Sequence, residues 1–207
     1  KFLQDGSKIL ANSHDGQTIK IIDMKSRISE EPIYARIVSY SNDFSKMMLY
    51  DGSELSFSSD YGKTSEIIKM EDNLNFGLIK NGSVYQISND GRYFTSVWQK
   101  LSSPKPILLL YNLETQEKQE LEVNSISPLL RFSDDGKALY ILDGKEGLKV
   151  YSTADLTEIE SYPELQESAT NFLLSKDGEL LVINRFSGTA SLYSLASRKK
   201  LGDIPGQ

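Results

Sequence analysis

The sequence predicts an all-β fold made of repeated four-stranded antiparallel units, and three observations support that prediction. Asp-Gly turns recur along the 207 residues at intervals that suit such a unit. The segments between the turns are rich in β-branched and aromatic residues, and helical periodicity is hard to find. Within a unit the middle strands are apolar on both faces, whereas the last strand is polar at alternate positions. This pattern is typical of a sheet whose central strands are buried and whose outer strand is exposed to solvent.

The clearest unit runs from residue 132 to residue 162 and reads as four strands joined by tight turns. Its first two turns carry the pairs Asp135-Gly136 and Asp143-Gly144. Glycine reaches positive φ without steric cost and aspartate tolerates the left-handed region, which is what tight hairpin turns require. The first predicted strand ends at Phe132, and the others occupy residues 138–142, 148–152 and 157–162.

The same turn recurs five times, with markers at Asp5, Asp43, Asp90, Asp135 and Asp177, which are successively 38, 47, 45 and 42 residues apart. A period of about 40 to 50 residues with four strands per unit belongs to β-propellers, because helical repeats run nearer 34 residues. We therefore predict a β-propeller of about five four-stranded blades. The approximate blade bounds are 1–34, 35–80, 81–124, 125–167 and 168–207.

The remaining units continue as this pattern requires. Strand-turn-strand segments lie at 2–11, 39–50, 86–98 and 171–183. Third strands are predicted at 18–23, 54–58, 107–112, 148–152 and 190–194, and further polar fourth strands at 118–123 and 200–204.

Two segments, 133–152 and 175–194, resemble blades of the divergent WD40-like propellers, and the likeness extends over nearly the whole chain. The Gly-His dipeptide of WD40 repeats is absent from the sequence. The Trp-Asp dipeptide is replaced by Ile22-Asp23, Phe57-Ser58, Tyr111-Asn112, Tyr151-Ser152 and Tyr193-Ser194. The hydrogen-bonded tetrad of a WD40 blade is therefore not encoded.

A further stretch, SSDYGKTS at 58–65, is similar to the Asp-box of sialidase-like and sortilin-like propellers, with Ser65 where the aromatic residue belongs. In those families the box is a folded hairpin turn and not a catalytic site. The alternative interpretation is an ordinary hairpin with Tyr61-Gly62 at its tip.

Composition excludes several classes of partner. The net charge is −6, from 23 basic and 29 acidic residues, and no block of lysine or arginine is present, so we predict no binding to nucleic acid or to membrane surfaces. The longest apolar run, at 107–111, is far shorter than the roughly 20 residues that a bilayer demands. Zero cysteines exclude disulfides and thiolate metal sites. They do not decide the compartment, although a cytoplasmic location is favoured over an extracytoplasmic one.

Residues that could perform catalysis are scattered. The single histidine, His14, lies between Ser13 and Asp15, and adjacent residues cannot converge as a catalytic triad must. The acidic pairs Asp134-Asp135 and Glu30-Glu31 lie in a repeated turn and in a predicted loop, respectively. Only Arg131 and Arg36 are candidates for the arginine cluster of a sialidase. We therefore predict no catalytic site, no metal and no cofactor.

Two hypotheses follow from these observations. The first is a non-catalytic protein-interaction scaffold, a propeller that presents its loops to a protein partner. The alternative is the propeller domain of a larger hydrolase, either a gating domain like that of the prolyl oligopeptidases or a fragment of an Asp-box glycosidase. We also expect an open arc of a larger propeller, completed by further blades from the same chain or another chain, because the shared-strand overlap that commonly locks such rings is missing.

The predicted binding face carries the turns between second and third strands. Turns between first and second strands are nearly uniform among repeats, whereas the second set varies in length and chemistry, and loops on a rigid scaffold carry recognition. Basic residues in the variable set would suit an acidic partner. For Trp98 the alternative is packing between blades. The predicted partner-binding residues are His14, Trp98, Lys100, Lys105, Lys145, Arg185 and Phe186.

Overall fold

The protein is described here by a computed structural model that covers residues 7–12, 18–29, 32–41, 46–51, 54–59, 65–68, 85–99, 104–166 and 168–206. The predicted all-β fold class is confirmed for these ranges, which form antiparallel strands and turns. The same ranges contain no helix long and apolar enough to cross a membrane.

The chain divides into two compact units, Lys1–Phe76 and Gly77–Gln207. The first unit contains two sheets. Sheet 1 pairs β1 (Lys8–Asn12) with β2 (Ile19–Asp23), and bridges from Ile33 to Ile19 and from Ser29 to Ile22 extend it. Sheet 2 is the meander of β3 (Arg36–Tyr40), β4 (Met47–Tyr50), β5 (Leu55–Ser58) and β6 (Glu66–Ile67).

The second unit contains three four-stranded antiparallel meanders. Sheet 3 comprises β7 (Tyr85–Ile87), β8 (Tyr93–Trp98), β9 (Ile107–Asn112) and β10 (Lys118–Glu122). Sheet 4 comprises β11 (Leu129–Phe132), β12 (Ala138–Asp143), β13 (Gly147–Ser152) and β14 (Glu158–Tyr162). Sheet 5 comprises β15 (Ala169–Leu174), β16 (Leu180–Arg185), β17 (Ala190–Ser194) and β18 (Lys199–Ile204).

Burial within these sheets follows the predicted gradient. In β8 the five residues after Tyr93 are all buried. In β10 exposed and partly buried residues alternate, and β18 is exposed along its whole length. The two middle strands of a sheet thus supply most of its core. In sheets 2 to 5 the four-stranded units and the strand bounds agree with the sequence prediction to within one or two residues, whereas sheet 1 has two strands among the described residues. The predicted marker turns at Asp5 and Asp43 lie outside the described residues, and a ring that joins all the sheets stays a prediction.

Each unit has a core between neighbouring sheets. In the first unit, Leu10, Ile19 and Ile21 of sheet 1 pack with Met47 and Leu49 of sheet 2. In the second unit, one cluster joins sheets 4 and 5, and its members include Leu142, Leu148, Val150, Phe172, Leu181 and Ile183. Strand β11 also lies next to β7 and β15, so the first strands of the three sheets are neighbours. Burial of apolar side chains between sheets is the main favourable contribution to such a fold.

The turn between first and second strands has the same chemistry in all three sheets of the second unit. In each Ser-x-Asp-Gly sequence the serine Oγ donates to the aspartate Oδ1 at 2.5–2.7 Å, and that Oδ1 accepts the N–H two residues further on at 3.0–3.1 Å. The serine Oγ also accepts the N–H five residues further on, at 2.9 Å. The three turns begin at Ser88, Ser133 and Ser175.

These bonds set the charge state of the turn aspartates. The Ser133 hydroxyl and the Lys137 N–H lower the pKa of the Asp135 carboxyl, and Ser175 and Glu179 do the same for Asp177. Burial raises the pKa of Asp90, but hydrogen bonds from Ser88 and Arg92 outweigh it and lower the value overall. Each carboxylate is thus stabilised in its ionised form.

A second pattern of hydrogen bonds recurs in the turns that follow β2, β9, β13 and β17. The last residue of each of these strands accepts a backbone N–H of the following turn with its side chain. These residues are Asp23, Asn112, Ser152 and Ser194. Four residues after each of them the chain enters the left-handed region with a residue other than glycine. Those residues, at φ between 53° and 61°, are Arg27, Gln116, Leu156 and Arg198.

In sheets 3, 4 and 5 the two kinds of turn are hydrogen-bonded to one another on the same side of the sheet. The residue that follows the third strand donates its N–H to the carbonyl two residues past the marker aspartate, at 2.8–3.0 Å. The pairs are Leu113 to Arg92, Thr153 to Lys137 and Leu195 to Glu179, and in sheet 1 the Met24 N–H donates to the Ser7 carbonyl at 2.8 Å. In sheet 4 the Thr153 hydroxyl adds a buried bond to the Gly136 carbonyl.

Neighbouring sheets of the second unit are joined through these turns as well. Asn89 Nδ2 donates to Asp134 Oδ1 at 2.9 Å, linking sheets 3 and 4. Gly136 has φ +71° and approaches the Asp90 carboxylate so closely that an added Cβ would lie 2.6 Å from Oδ2. Arg131 spans sheets 4 and 5 by donating to the Phe172 carbonyl, and this residue, a sialidase candidate in the sequence, therefore has a structural partner.

The close contact between Gly136 and Asp90 predicts that a larger residue at position 136 destabilises the protein. Gly136→Ala and Gly188→Ala both place a Cβ in the left-handed region, which costs about 1–2 kcal/mol each. The Cβ at position 188 meets no atom within 4 Å, whereas the one at position 136 must displace Asp90 from its bonds to Ser88 and Arg92. We expect Gly136→Ala to lower the free energy of unfolding by about 1–3 kcal/mol more than Gly188→Ala. Urea denaturation measures both, and equal losses would contradict the packing of these turns.

The lowered pKa values of the turn aspartates predict that the stability of the protein decreases at acid pH. Because their pKa values are lower in the folded protein than in the unfolded chain, their contribution is complete above the ordinary value of about 3.9 and is lost as the pH falls below it. The variant Asp135→Asn/Asp177→Asn keeps an acceptor oxygen in each turn but cannot titrate there. Its urea midpoint should fall less steeply than that of the parent protein between about pH 5 and pH 2. Parallel curves would show that these carboxylates do not contribute to the acid sensitivity.

Candidate functional site

The second unit has two chemically different sides. The Ser-x-Asp-Gly turns at 88–92, 133–137 and 175–179 define one side, here called the turn face. The connections between second and third strands define the opposite side, here called the loop face, and their described residues are 99, 104–106, 143–147 and 185–189. The antiparallel meander of each sheet forces this division, because successive turns alternate between the two ends of the strands.

A pocket of about 210 Å³ lies on the loop face between sheets 4 and 5. The paired residues Leu129 and Leu142 supply apolar surface, and Ala169 and Phe186 add to it from sheet 5. Asp143 lines the same pocket from the end of β12. Ser125, Ser127 and Ser168 line it as well, so the pocket combines apolar residues with polar and acidic ones, which suits a side chain that is apolar along its length and polar at its tip.

Phe186 is the most exposed large apolar side chain in the described part of the chain, at 82%. It sits in the tight turn between β16 and β17, which is closed by a 3.1 Å bond from the Gly188 N–H to the Arg185 carbonyl. The Ser187 and Thr189 hydroxyls bond to one another across the same turn, at 2.8 Å. A large aromatic ring is thus held in solvent on a short, hydrogen-bonded turn, where it contributes almost nothing to the core.

Charged groups of the loop face alternate in sign. Arg185 Nη1 lies 3.7 Å from Asp203 Oδ1, and Lys200 Nζ lies 2.7 Å from the same oxygen. The hydrogen bond from Lys200 lowers the pKa of Asp203, with a further contribution from Ser191. Lys149 similarly pairs with Glu146 at 2.8 Å. The positive charge of Arg185 is therefore offset locally.

The predicted partner-binding residues have different surroundings in the structure. Lys105, Lys145 and Phe186 are exposed on the loop face, and Phe186 lies across the pocket from the turn that contains Lys145. Arg185 is on this face but partly buried in its ion pair with Asp203. His14 and Lys100 lie outside the described residues.

Trp98 is buried, so its predicted role as an exposed aromatic at an interface does not describe its position. Only 2% of the residue is exposed, and its ring packs edge-on against Tyr85 with ring centroids 6.0 Å apart. The indole N–H donates to the Ser96 hydroxyl. The ring is removed from water on the apolar face of β8, and its ring contact is with Tyr85 of the same sheet, so the alternative of packing between blades stays a prediction.

The carboxylates considered for catalysis have structural partners. Asp135 accepts bonds from Ser133 and Lys137, and Asp134 accepts one from Asn89. Glu30, Glu31 and most of the Asp-box-like stretch, residues 60–64, lie outside the described residues. Among the residues that the structure describes, no group of three or more His, Asp or Glu side chains could hold a metal ion.

Sequence reasoning missed two features of this region. The pocket depends on Leu129, Leu142 and Ala169, whose convergence follows from the packing of two sheets and leaves no local signal. The serine two residues before each marker aspartate was a visible signal, since Ser88, Ser133 and Ser175 recur at one spacing.

Comparison with known proteins adds no family assignment: neither the family models nor the curated proteins include a match to this chain.

The burial of Trp98 predicts its fluorescence. As the single tryptophan of the chain, it should emit at the short wavelengths of a buried indole and resist quenching by iodide. Trp98→Ala should lower the free energy of unfolding by about 3–5 kcal/mol, the usual cost of truncating a buried large aromatic. Strong iodide quenching in the folded protein would contradict the position of the ring. Phe186→Ala serves as the matched aromatic truncation at an exposed site and should cost less than about 0.5 kcal/mol.

Proposed function

We propose that the chain is a divergent WD40-like β-propeller whose five sheets are successive blades. Four observations support this architecture. Each four-stranded sheet is a meander, its strand order follows the chain, and in the second unit the first strands β7, β11 and β15 are neighbours. Successive sheets of the second unit repeat the same turn chemistry at intervals of 45 and 42 residues. This combination is typical of blades around an axis.

We further propose that the blades form an open arc that another blade, from this chain or another, completes. The support comes from the side of sheet 5 that does not pack on sheet 4. Leu173 is 48% exposed there and is in register with Val182, which is in register with Leu192. In sheet 4 the residues one repeat earlier are Arg131, Tyr140 and Val150, and Arg131 bonds to sheet 5 while Tyr140 and Val150 pack in the core shared with it.

For the function, we propose a non-catalytic protein-interaction scaffold that binds its partner with the loop face. The observation that carries this proposal is Phe186, an 82% exposed aromatic ring on a hydrogen-bonded turn beside a pocket. Aromatic side chains next to pockets are typical anchors of protein interfaces. Lys105 and Lys145 would contact acidic groups of the partner around this anchor.

The size of the pocket supports a protein partner over a small-molecule substrate. Sites for drug-sized ligands and cofactors are usually about 300–1,000 Å³, and this pocket is smaller, at about 210 Å³. Such a volume suits a single side chain of a partner chain. The turn face is less suited to recognition, because its polar groups are engaged in bonds within and between sheets.

The proposed function is tested with matched charge reversals on the two faces. The loop-face variants are Phe186→Ser and the triple variant Lys100→Glu/Lys105→Glu/Lys145→Glu. The control is Lys137→Glu/Lys176→Glu on the turn face, where the two side chains are 79% and 89% exposed. Proteins cross-linked to the parent domain are identified by mass spectrometry, and the binding of a recombinant partner is then measured.

We expect both loop-face variants to weaken partner binding about tenfold or more, and the control to bind normally. All melting temperatures should stay within about a degree or two, because exposed substitutions usually change stability by less than about 0.5 kcal/mol. Loss of binding in the control with retention in the loop-face variants would place the interface on the other side. Turnover of a substrate by the purified domain, abolished by one substitution, would overturn the non-catalytic function.

A further inference from the structure

Asp143 differs from other acidic residues of the loop face in its partners. Glu146 pairs with Lys149, and Asp203 pairs with Lys200. Asp143 Oδ1 accepts the backbone N–H of Lys145 at 2.9 Å, but within the described part of the chain no lysine or arginine side chain pairs with the Asp143 carboxylate. The residue is half-buried and lines the pocket. A carboxylate in this position attracts a cation from outside the molecule.

The walls of the pocket match the rest of a basic side chain. Leu129, Leu142 and the buried Pro128 offer apolar surface to a methylene stem. Phe186 offers an aromatic face, on which a guanidinium group stacks favourably. Ser125 and Ser168 also line the pocket and can accept hydrogen bonds from the N–H groups of the same guanidinium.

We propose that this pocket binds one arginine side chain of the partner, with the guanidinium held by Asp143 and Phe186. The inference rests on the proposed function and specifies its chemistry. Arginine fits better than lysine because its planar guanidinium can pair with a carboxylate and stack on an aromatic ring at the same time. The ammonium group of lysine is a compact and strongly hydrated charge. A glutamate side chain would be repelled by Asp143.

The probes for this test are blocked pentapeptides of sequence Gly-Ser-X-Ser-Gly, with arginine, lysine, leucine or glutamate at X. Each is titrated into the ¹⁵N-labelled protein, and amide shifts are followed at Gly144, Ala169 and Phe186. The test variant Asp143→Asn keeps the acceptor for the Lys145 N–H and removes only the charge. The matched control Glu164→Gln removes the same charge from an exposed residue of the β14–β15 connection that does not line the pocket.

We expect the arginine peptide to bind with a dissociation constant on the order of millimolar, as suits a single anchored side chain. The lysine and leucine peptides should bind several-fold more weakly, and the glutamate peptide should cause no shifts at these amides. Asp143→Asn should weaken arginine binding about fivefold to tenfold, and Glu164→Gln by less than about twofold. The difference between the two variants should shrink at high salt.

Three outcomes would overturn the inference: the absence of shifts with the arginine peptide, equal binding of the glutamate peptide, or equal effects of the two variants. If Phe186→Ser still abolishes capture of the partner in any of these cases, the loop face remains the binding site and only the arginine specificity is wrong. If Phe186→Ser leaves capture intact while the arginine peptide binds as expected, the pocket is a basic side-chain site and the proposed interface is wrong.

Discussion

The strand connections of sheets 3, 4 and 5 depend on one repeated interaction, in which the carboxylate of the marker aspartate accepts hydrogen bonds from a serine hydroxyl and from a backbone N–H of the same turn. This pair of bonds closes the hairpin between first and second strands in sheets 3, 4 and 5. The closed hairpin presents the carbonyl to which the turn between third and fourth strands donates. All four strands of a sheet are thereby fixed at one end, and the Asp90 carboxylate also defines how closely Gly136 of the next sheet can approach.

This arrangement assigns different tasks to the two faces. On the turn face the serine and aspartate side chains of the repeated turns contribute to the geometry of a sheet or to the contact between sheets, so these residues have little freedom to vary. On the loop face Phe186 projects into solvent and contributes little to packing. The proposed binding and the stability of the fold are separable for this reason, since the residues proposed for recognition contribute little buried surface.

Much of the fold could be predicted from the sequence, because its signals are local. Asp-Gly pairs and apolar strands fix where hairpins occur, and the strand bounds at 107–112 and 190–194 needed little correction. Gln116 and Leu156, which adopt left-handed backbone conformations, had no such signal. Their conformation belongs to turns in which Asn112 and Ser152, four residues earlier, accept a backbone N–H with their side chains. Trp98 could not be placed from its neighbours in sequence, because its burial depends on which face of β8 meets Tyr85. The pocket likewise requires two sheets to converge.

The dimensions of the site constrain how a partner can bind. A pocket of about 210 Å³ and one aromatic ring can provide an anchor, but stable complexes usually bury about 1,200–2,000 Å² in total. In the proposed complex the remaining area would come from the rest of the loop face, where Lys105 and Lys145 are exposed. Charges of both signs lie on the loop face, so in the proposed complex they would orient the partner and accelerate association more than they would add to its affinity. A partner that meets these requirements presents one basic side chain for the pocket and acidic groups on either side of it.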